Sequence, residues 1–293
     1  MNTIDDPRID PRLRAAFAGF SLPNPGDAES RERMVAEANS PEMLAQVEQA
    51  LAQVEQALAV TNAAGVAPST GLRVSTCEFT SSPDGNTIKI QFLRAEDDSV
   101  QPCVYYIHGG GMATMSAFDP MYQVWGRTIA SQGVAVAMVD FRNCLMPSSA
   151  PEVEPFPAGL NDCVSGLKWL VANAATLGID PQHLIVAGES GGGNLTLATG
   201  LRLLRDGDLG LIRGLYSMCP YIAGSWPQER FPSSIENNGV LLDLHNNQGA
   251  MGYGIEELEK KNPLAWPSFA TEQDVAGLVP TVISVNEFDP LRD

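Results

Sequence analysis

A serine within a glycine-rich pentapeptide is the residue of this sequence best suited to act as a nucleophile. The pentapeptide, Gly188-Glu189-Ser190-Gly191-Gly192, fits the pattern G-x-S-x-G and lies between an apolar segment and a segment with helical periodicity. Small flanking residues allow the strained strand-to-helix turn that projects a serine hydroxyl from the end of a sheet. We therefore predict nucleophilic chemistry at Ser190. A capping serine at a glycine-rich helix start is the alternative role for the same pattern.

A second glycine-rich segment could supply backbone donors to the same reaction. His108 follows an apolar segment, 82 residues before the serine, and three glycines, Gly109 to Gly111, come directly after it. Without Cβ atoms, neighbouring N–H groups can converge on one point, as the oxyanion of an acyl transfer requires. We assign the N–H groups of Gly110, Gly111 and Gly191 to this oxyanion hole. A phosphate-binding loop is the alternative, but the glycine-rich patterns of such loops are absent from the sequence.

A carboxylate is expected beside the serine, because the base that accepts the serine proton must be held in one tautomer. Asp289 follows the last apolar segment, residues 279–285, and lies 99 residues after Ser190. The order of serine and then acid along the chain is that of α/β hydrolases. We predict that Asp289 is this acid. Glu287 is a rival, and a turn residue before proline is the alternative role of Asp289.

The base is not evident among the three histidines of the sequence. His108 is expected to orient the glycine loop, and His183 begins the apolar segment that leads to Ser190, so it lies at the far end of that segment. His245 is predicted to be a polar surface residue. Because only four residues follow Asp289, we expect the triad histidine to lie beyond residue 293 and the 293-residue chain to have little activity.

The elements that must position these residues form a repeating pattern after residue 71. Short apolar segments alternate with helical segments, which predicts a mostly parallel central sheet flanked by helices on both faces. A turn signal at 83–86 predicts a hairpin between the first two strands. Strands are predicted near 72–80, 87–94, 102–107, 134–139, 183–188, 213–218 and 280–286, and helices near 119–132, 158–177 and 191–206.

Two regions outside this pattern are predicted to form a helical cap. Residues 44–50 are repeated without change as 51–57, and both copies place apolar side chains on one helical stripe. We predict an N-terminal cap segment (1–70), an α/β core (71–219), a cap insertion (220–275) and a core strand with the acid turn (276–293). A coiled coil is the alternative for the repeat, although two heptads are few. The stripe comprises Leu44, Val47, Leu51, Val54 and Leu58.

The composition of the chain disfavours several classes of binding partner. A net charge of −17, from 35 acidic and 18 basic residues, disfavours binding to nucleic acid and to anionic membranes. No apolar run is long enough to span a membrane, and the N-terminus lacks the regions of a secretory signal. Five scattered cysteines are expected to be buried thiols, not disulfides or zinc ligands. We predict a cytoplasmic protein that acts on a small molecule without metal or cofactor, with homo-oligomerisation left open.

Several of these segments resemble one family, the bacterial hormone-sensitive-lipase-like esterases. Its signature blocks are similar to residues 108–112, 188–194 and 289–293, and further segments resemble the branch that contains brefeldin A esterase. The resemblance covers most of residues 100–293. It implies an α/β-hydrolase fold with an eight-stranded sheet and a helical cap, and cofactor-free hydrolysis of short- or medium-chain acyl esters. In the family, a helix, the last strand and a histidine loop follow the segment similar to 289–293, and we expect these to be missing here.

The sequence therefore favours a serine carboxylic-ester hydrolase that acts on short- to medium-chain or lactone esters through an acyl-enzyme. A non-catalytic protein of the same fold that binds a small ligand is the alternative, as expected for a chain without the histidine. Retention of both Ser190 and Asp289 favours the enzyme, since ligand binding alone has little use for a strained serine turn. Ester, amide and thioester cleavage are not distinguished.

Overall fold

The computed structural model of the chain describes residues 6–16, 24–60, 65, 67–239 and 242–293. Within these residues, seven strands form one sheet. The strands are β1 (Leu72–Thr80), β2 (Thr87–Ala95), β3 (Gln101–Ile107), β4 (Ala135–Asp140), β5 (Ile179–Glu189), β6 (Gly214–Met218) and β7 (Thr281–Ser284). Their spatial order is β1-β2-β4-β3-β5-β6-β7.

The sheet is parallel from β4 onwards. The predicted hairpin pairs β1 antiparallel with β2, from Leu72 opposite Ala95 to Thr80 opposite Thr87. β2 is also antiparallel to β4, whereas β3, β4, β5, β6 and β7 all run in one direction. The carboxyl ends of β3 to β7 therefore meet at one edge, where ligands bind in open α/β sheets. The predicted mostly parallel α/β fold is confirmed.

Helices flank this sheet. Among the described residues, no helix is long and apolar enough to cross a bilayer. The helices are α1 (Pro11–Ala16), α2 (Arg31–Ala38), α3 (Pro41–Val60), α4 (Pro120–Ala130), α5 (Ala158–Ala172), α6 (Ala174–Leu177), α7 (Gly191–Asp206), α8 (Ser233–Glu236), α9 (Gln248–Tyr253), α10 (Ile255–Glu259) and α11 (Glu272–Val275).

Both faces of the sheet are covered. Helices α5 and α7 pack against each other on one face, over the larger apolar core. Helix α4 covers the other face in a smaller cluster that includes Tyr106, Tyr122 and Met138. All six residues of β4 are buried, as expected for a central strand with helices on both sides.

The helix predicted over 158–177 is interrupted. Helix α5 ends at Ala172, and Asn173 leaves the helical conformation with φ −104° and ψ 10°. Its side-chain amide donates to the Trp169 carbonyl at 2.8 Å, which offers the backbone a partner other than the helix. One further turn, α6, ends at Gly178 with a left-handed φ of 66°. The apolar periodicity of the sequence continues through this break, so the pattern did not indicate that the helix is interrupted.

The segment before α2 is joined to the segment that leads into α9. The Ala28 N–H donates to Asn247 Oδ1 at 2.7 Å, and the Asn247 N–H donates to Asp27 Oδ1 at 2.8 Å. Gln248 Nε2 adds a hydrogen bond to the Gly26 carbonyl at 3.0 Å. Two regions more than 200 residues apart in the sequence thus lie together.

Candidate active site

Ser190 occupies the sharp turn between β5 and α7. Its backbone has φ 54° and ψ −117°, a conformation that residues with a Cβ rarely adopt. The Ser190 N–H donates to the Met218 carbonyl at 2.9 Å, and the Ser190 carbonyl accepts from the Tyr221 and Asn194 N–H groups at 2.9 and 3.0 Å. These hydrogen bonds hold the strained strand-to-helix turn that the sequence predicted.

The glycines around the serine are required because the end of β3 passes close to the turn. A Cβ on Gly188 would lie 2.5 Å from the Ile107 carbonyl oxygen, and one on Gly192 would lie 2.5 Å from the His108 carbonyl oxygen. Asn194, within the first turn of α7, donates to two backbone carbonyls of neighbouring loops at 2.9 and 3.0 Å. The position of the serine is therefore set by close backbone packing on several sides.

The glycine loop after β3 touches the start of α7. Gly110, Gly111 and Met112 have φ of 93°, 65° and 59°, so the loop runs through left-handed backbone space. A Cβ on Gly191 would lie 2.5 Å from Met112 N and 2.7 Å from Gly111 N. Within the described part of the chain, the N–H groups of Gly110, Gly111 and Gly191 have no hydrogen-bond acceptor. The structure thus brings the Gly111 N–H and Gly191 together, beside Met112 N, which the sequence did not single out. Gly110 directly precedes Gly111 in the same loop.

Glu189 connects this loop to the serine turn, and sequence reasoning gave it no role. Glu189 Oε1 accepts from the Gly109 N–H at 2.8 Å and from the Tyr122 hydroxyl at 2.6 Å. Glu189 Oε2 accepts a short hydrogen bond from the Tyr106 hydroxyl. The only sign of this in the sequence is a carboxylate beside the nucleophile, on a strand that is otherwise buried near its end.

Asp289 lies in the turn after β7, at the carboxyl edge of the sheet, as predicted. Its Oδ1 accepts from the Leu291 N–H at 2.8 Å, and burial raises the pKa of its carboxyl above the usual 3.8. The Asn237 side chain donates to the carbonyls of Glu287 and Asp289 at 3.1 and 3.2 Å, which fastens this turn to the end of α8. The rival acid Glu287 has a side chain that is 56% exposed and pairs with Arg8. The structure therefore favours Asp289.

Cys219 lies between the serine turn and Asp289. Its N–H donates to the Ser284 carbonyl at 2.7 Å. Burial raises the pKa of its thiol, the charges of Asp289 and Glu189 raise this pKa further, and a hydrogen bond from the Ser190 backbone lowers it. All five cysteines are free, but the prediction that all are buried is wrong for Cys77 and Cys219. Cys77 lies on the edge strand β1, and Cys219 borders a cavity.

His108 is fully buried beside the glycine loop. Its ring stacks on Phe141 with the centroids 4.3 Å apart. Its Nδ1 lies 2.9 Å from the Gly109 carbonyl oxygen, and its Nε2 lies 3.6 Å from Asp140 Oδ1. Both ring nitrogens thus face the loop and the end of β4, which supports the predicted role in orienting the loop.

The other two histidines lie outside the site. His183 precedes Ser190 by seven residues along β5, which is about 23 Å at the rise of a strand. It pairs with Asp180 at 2.7 Å. His245 is exposed, and its Nε2 lies 2.8 Å from the Ser234 carbonyl oxygen. None of the three histidines is therefore placed to accept a proton from Ser190.

Two cavities lie near the glycine loop and the serine turn. The larger, of about 790 Å³, lies between α3 and the loop that precedes α4, and the smaller, of about 430 Å³, lies beside the serine turn. Three residues of the apolar stripe predicted from the duplicated heptad, Val47, Leu51 and Val54, thus line a cavity next to α3. Side chains that line the larger cavity include Met43, Val47, Leu51, Val54, Met115 and Met121. Those that line the smaller include Tyr106, Tyr122, Trp125, Glu189 and Cys219.

Solved structures of esterases match nearly the whole chain. Esterase Est22 is 61% identical with a TM-score of 0.94, and the match covers 99% of this chain and 84% of that one. Brefeldin A esterase, a bacterial homologue of human hormone-sensitive lipase, is 31% identical with a TM-score of 0.78, and the match covers 99% of this chain and 80% of that one.

Sequence comparison leads to the same family. Carboxylesterase NlhH of Mycobacterium tuberculosis is 32% identical over 198 residues, which are 66% of this chain and 57% of that protein. The chain thus matches little more than half of the length of this relative. A family model described as the alpha/beta hydrolase fold matches residues 104–293. The chain belongs to the α/β-hydrolase fold family, together with esterases related to hormone-sensitive lipase.

Proposed function

We propose that the protein is a serine carboxylic-ester hydrolase that cleaves its substrate through an acyl-enzyme on Ser190. The observation that carries the proposal is that the N–H groups of Gly111 and Gly191, which have no acceptor among the described residues, lie together next to a serine with φ 54°. A nucleophile and convergent donors at one point are what acyl transfer requires. The similarity to the esterases named above supports the same class of reaction.

The proposed reaction has two steps of the same form. Ser190 Oγ bonds to the carbonyl carbon while its proton passes to a base, and the carbonyl oxygen becomes an oxyanion bound by the N–H groups of Gly110, Gly111 and Gly191. Collapse of this intermediate expels the alcohol, which takes up the proton, and leaves the acyl group on Ser190. Water then attacks the acyl-enzyme in the same way and releases the carboxylic acid.

Asp289 is proposed as the carboxylate that orients the base. Its turn is fixed by the Asn237 side chain, and burial raises the pKa of its carboxyl. A partly buried carboxylate gains stabilisation when a base beside it becomes cationic during the reaction. The base in this scheme is none of His108, His183 and His245, because their rings are held elsewhere.

The substrate is proposed to be a small ester with an apolar acyl or alcohol group, of short to medium length or a lactone. The cavity of about 790 Å³ supports this, because seven Met, Val and Leu side chains contribute to its wall. Residues 1–70 and 220–275 are proposed to form the cap, supported by the hydrogen bonds between Asp27, Ala28 and Asn247. A cytoplasmic location and possible homo-oligomerisation stay predictions from the sequence.

Labelling with a fluorophosphonate tests the proposal, because this probe phosphonylates activated serines. The natural polypeptide, meaning the protein translated from its own gene, is the parent and should carry the label on the peptide that contains Ser190. Ser190→Ala should carry no label and should keep the melting temperature of the parent. Ser225→Ala, which replaces an exposed serine near Gln228, is the matched control and should be labelled like the parent. An unlabelled parent, or a label that persists in Ser190→Ala, would contradict the proposal.

A further inference from the structure

We propose that Glu189 is a positioning residue for the oxyanion hole, because its carboxylate holds the glycine loop after β3 against the turn that carries the nucleophile. The inference rests on the proposed esterase function and concerns a residue to which that function assigns no role. We name as the Glu189 cluster the Glu189 carboxylate, the hydroxyls of Tyr106 and Tyr122, and the Gly109 N–H.

All donors of the Glu189 cluster converge on one carboxylate. The Gly109 N–H is shared between Glu189 Oε1 at 2.8 Å and the Tyr122 oxygen at 2.9 Å. The Tyr122 hydroxyl donates to the same Oε1 at 2.6 Å, and the Tyr106 hydroxyl donates to Oε2. A Cβ on Gly109 would lie 2.8 Å from Glu189 Oε1, so the carboxylate packs directly on the loop backbone.

These contacts link the turn that carries the nucleophile to the glycine loop that carries the proposed donors. Glu189 directly precedes Ser190, and Gly109 directly precedes the two loop glycines proposed as donors. One hydrogen bond thus links segments that are 80 residues apart in the sequence, and their separation sets the distance from the nucleophile to the donors. The Gly109 carbonyl is held as well, at 2.9 Å from His108 Nδ1. With both polar groups engaged, Gly109 fixes the orientation of the peptides that follow it.

An ionised carboxylate suits this cluster better than any neutral side chain. It offers about four lone-pair positions and no proton of its own, so it can accept all three donors. Burial, together with the charge of Glu189, raises the pKa of the Tyr106 and Tyr122 phenols above the usual 10, so both remain donors. Glutamine at position 189 has one acceptor oxygen and an NH₂ group. With the NH₂ group on the Tyr106 side, that hydroxyl must turn round to accept, and with the NH₂ group on the loop side, it faces the Gly109 N–H, which can only donate. The volume of the side chain is nearly unchanged.

Three variants and one control test the role in the natural polypeptide. Glu189→Gln removes the charge, Tyr122→Phe removes one hydroxyl next to the loop, and Tyr106→Phe removes the hydroxyl farther from it. The control is Asp274→Asn, since Asp274 also accepts a backbone N–H and a hydroxyl, both from Thr271, at 3.0 and 2.8 Å, but lies at α11. Each protein is assayed for kcat and KM on p-nitrophenyl butyrate, for its melting temperature, and for the ratio of kcat on a phenyl ester to kcat on the matching thionoester.

The thionoester ratio reports on the oxyanion hole, because sulfur is larger than oxygen and accepts hydrogen bonds weakly. Well-placed donors therefore favour the oxygen ester, and displaced donors favour it less. A loop shift approaching 1 Å is worth up to about 100-fold in rate. We expect Glu189→Gln to lower kcat by about 10- to 100-fold with little change in KM, and to lower the ratio of ester to thionoester. Tyr122→Phe should follow in the same direction, and Tyr106→Phe should have the smallest effect.

Asp274→Asn should leave kcat and the ratio of ester to thionoester at parental values. The melting temperature is the one measured property that this control is expected to change. A Glu189→Gln variant with parental kcat, or with a lowered kcat and a parental ratio, would overturn the positioning role. If Glu189→Gln fails to fold, Tyr122→Phe is used to test the positioning role. A parental ratio of ester to thionoester in Tyr122→Phe would then overturn that role. Failure of the esterase proposal is distinguishable, since it would appear as turnover that persists in Ser190→Ala.

Discussion

Replacing Gly191 by alanine places a methyl group against the donors proposed for the oxyanion. The new Cβ would lie 2.5 Å from Met112 N and 2.7 Å from Gly111 N, and both are backbone atoms that cannot rotate away. Ordinary contact of a Cβ begins at 3.4 Å, so the loop must retreat by 0.7 to 0.9 Å, the differences between 3.4 Å and these distances. The backbone of Gly191 is not left-handed, and alanine is a better helix former than glycine. The damage is therefore expected at the loop and not in α7.

A retreat of this size falls in the range where catalytic geometry is lost. A displacement of about 1 Å lowers a rate by roughly 100-fold, and loss of one oxyanion donor lowers kcat by about 10² to 10³. We predict that Gly191→Ala lowers kcat by about 100-fold, equivalent to about 2.7 kcal/mol of transition-state stabilisation. KM should change by less than about threefold, because the donors act on the transition state more than on the bound ester.

The assay is steady-state hydrolysis of p-nitrophenyl butyrate by the natural polypeptide, with the melting temperature measured beside it. Gly210→Ala is the matched control, since a Cβ at Gly210 would meet nothing within 4 Å. The control should keep the kcat of the parent. Loss of one oxyanion donor lowers kcat by about 10²-fold or more. If Gly191→Ala kept kcat within about threefold of the parent, the assignment of this loop to the oxyanion hole would be wrong.

Three further changes test other parts of the account. Gly111→Val should lower kcat by at least about tenfold, because its φ of 65° strains a β-branched residue although a Cβ there meets nothing within 4 Å; parental kcat would contradict this. Asp289→Asn should lower kcat by about 10⁴. Since burial raises the pKa of Asp289 above 3.8, the parent loses stability as pH rises through the window above that value, and the asparagine variant does not. Its melting temperature should therefore exceed that of the parent at pH 7 and match it below pH 3.8; no gain at pH 7 would count against the buried carboxylate. Deletion of residues 51–57 removes two helical turns, about 10.5 Å of α3, and should change the preferred acyl chain length while Ser190 stays reactive to fluorophosphonate; insoluble protein would place the repeat in the core.

The parts of the fold that follow from local chemistry were predictable from the sequence. The Pro83-Asp84-Gly85-Asn86 turn placed the first hairpin, and apolar runs placed all seven strands to within a few residues. Helix α7 was predicted at 191–206 and lies there, because glycines begin it and Gly207 ends it in left-handed conformation. The serine turn was predicted for the same reason, since its pentapeptide carries the steric requirement in its own residue types.

The remaining features depend on contacts between segments distant in the sequence. Glu189 gains its role from Gly109 and Tyr122, which lie 80 and 67 residues away, and no local pattern encodes such a pairing. The fastening of the Asp289 turn by Asn237 is equally distant, at 52 residues. Cys219 is only partly buried and borders the cavity beside the serine turn, and amino-acid composition does not encode such packing.

The central claim is that Ser190 is the nucleophile of an ester hydrolase, and the ratio of kcat/KM between the parent and Ser190→Ala tests it most directly. The measurement uses p-nitrophenyl butyrate and the natural polypeptide, with circular dichroism to show that both proteins are folded. We predict a loss of about 10⁶-fold, as when the nucleophile of such an enzyme is removed. A folded Ser190→Ala protein that hydrolyses the ester at a rate near that of the parent would contradict the claim.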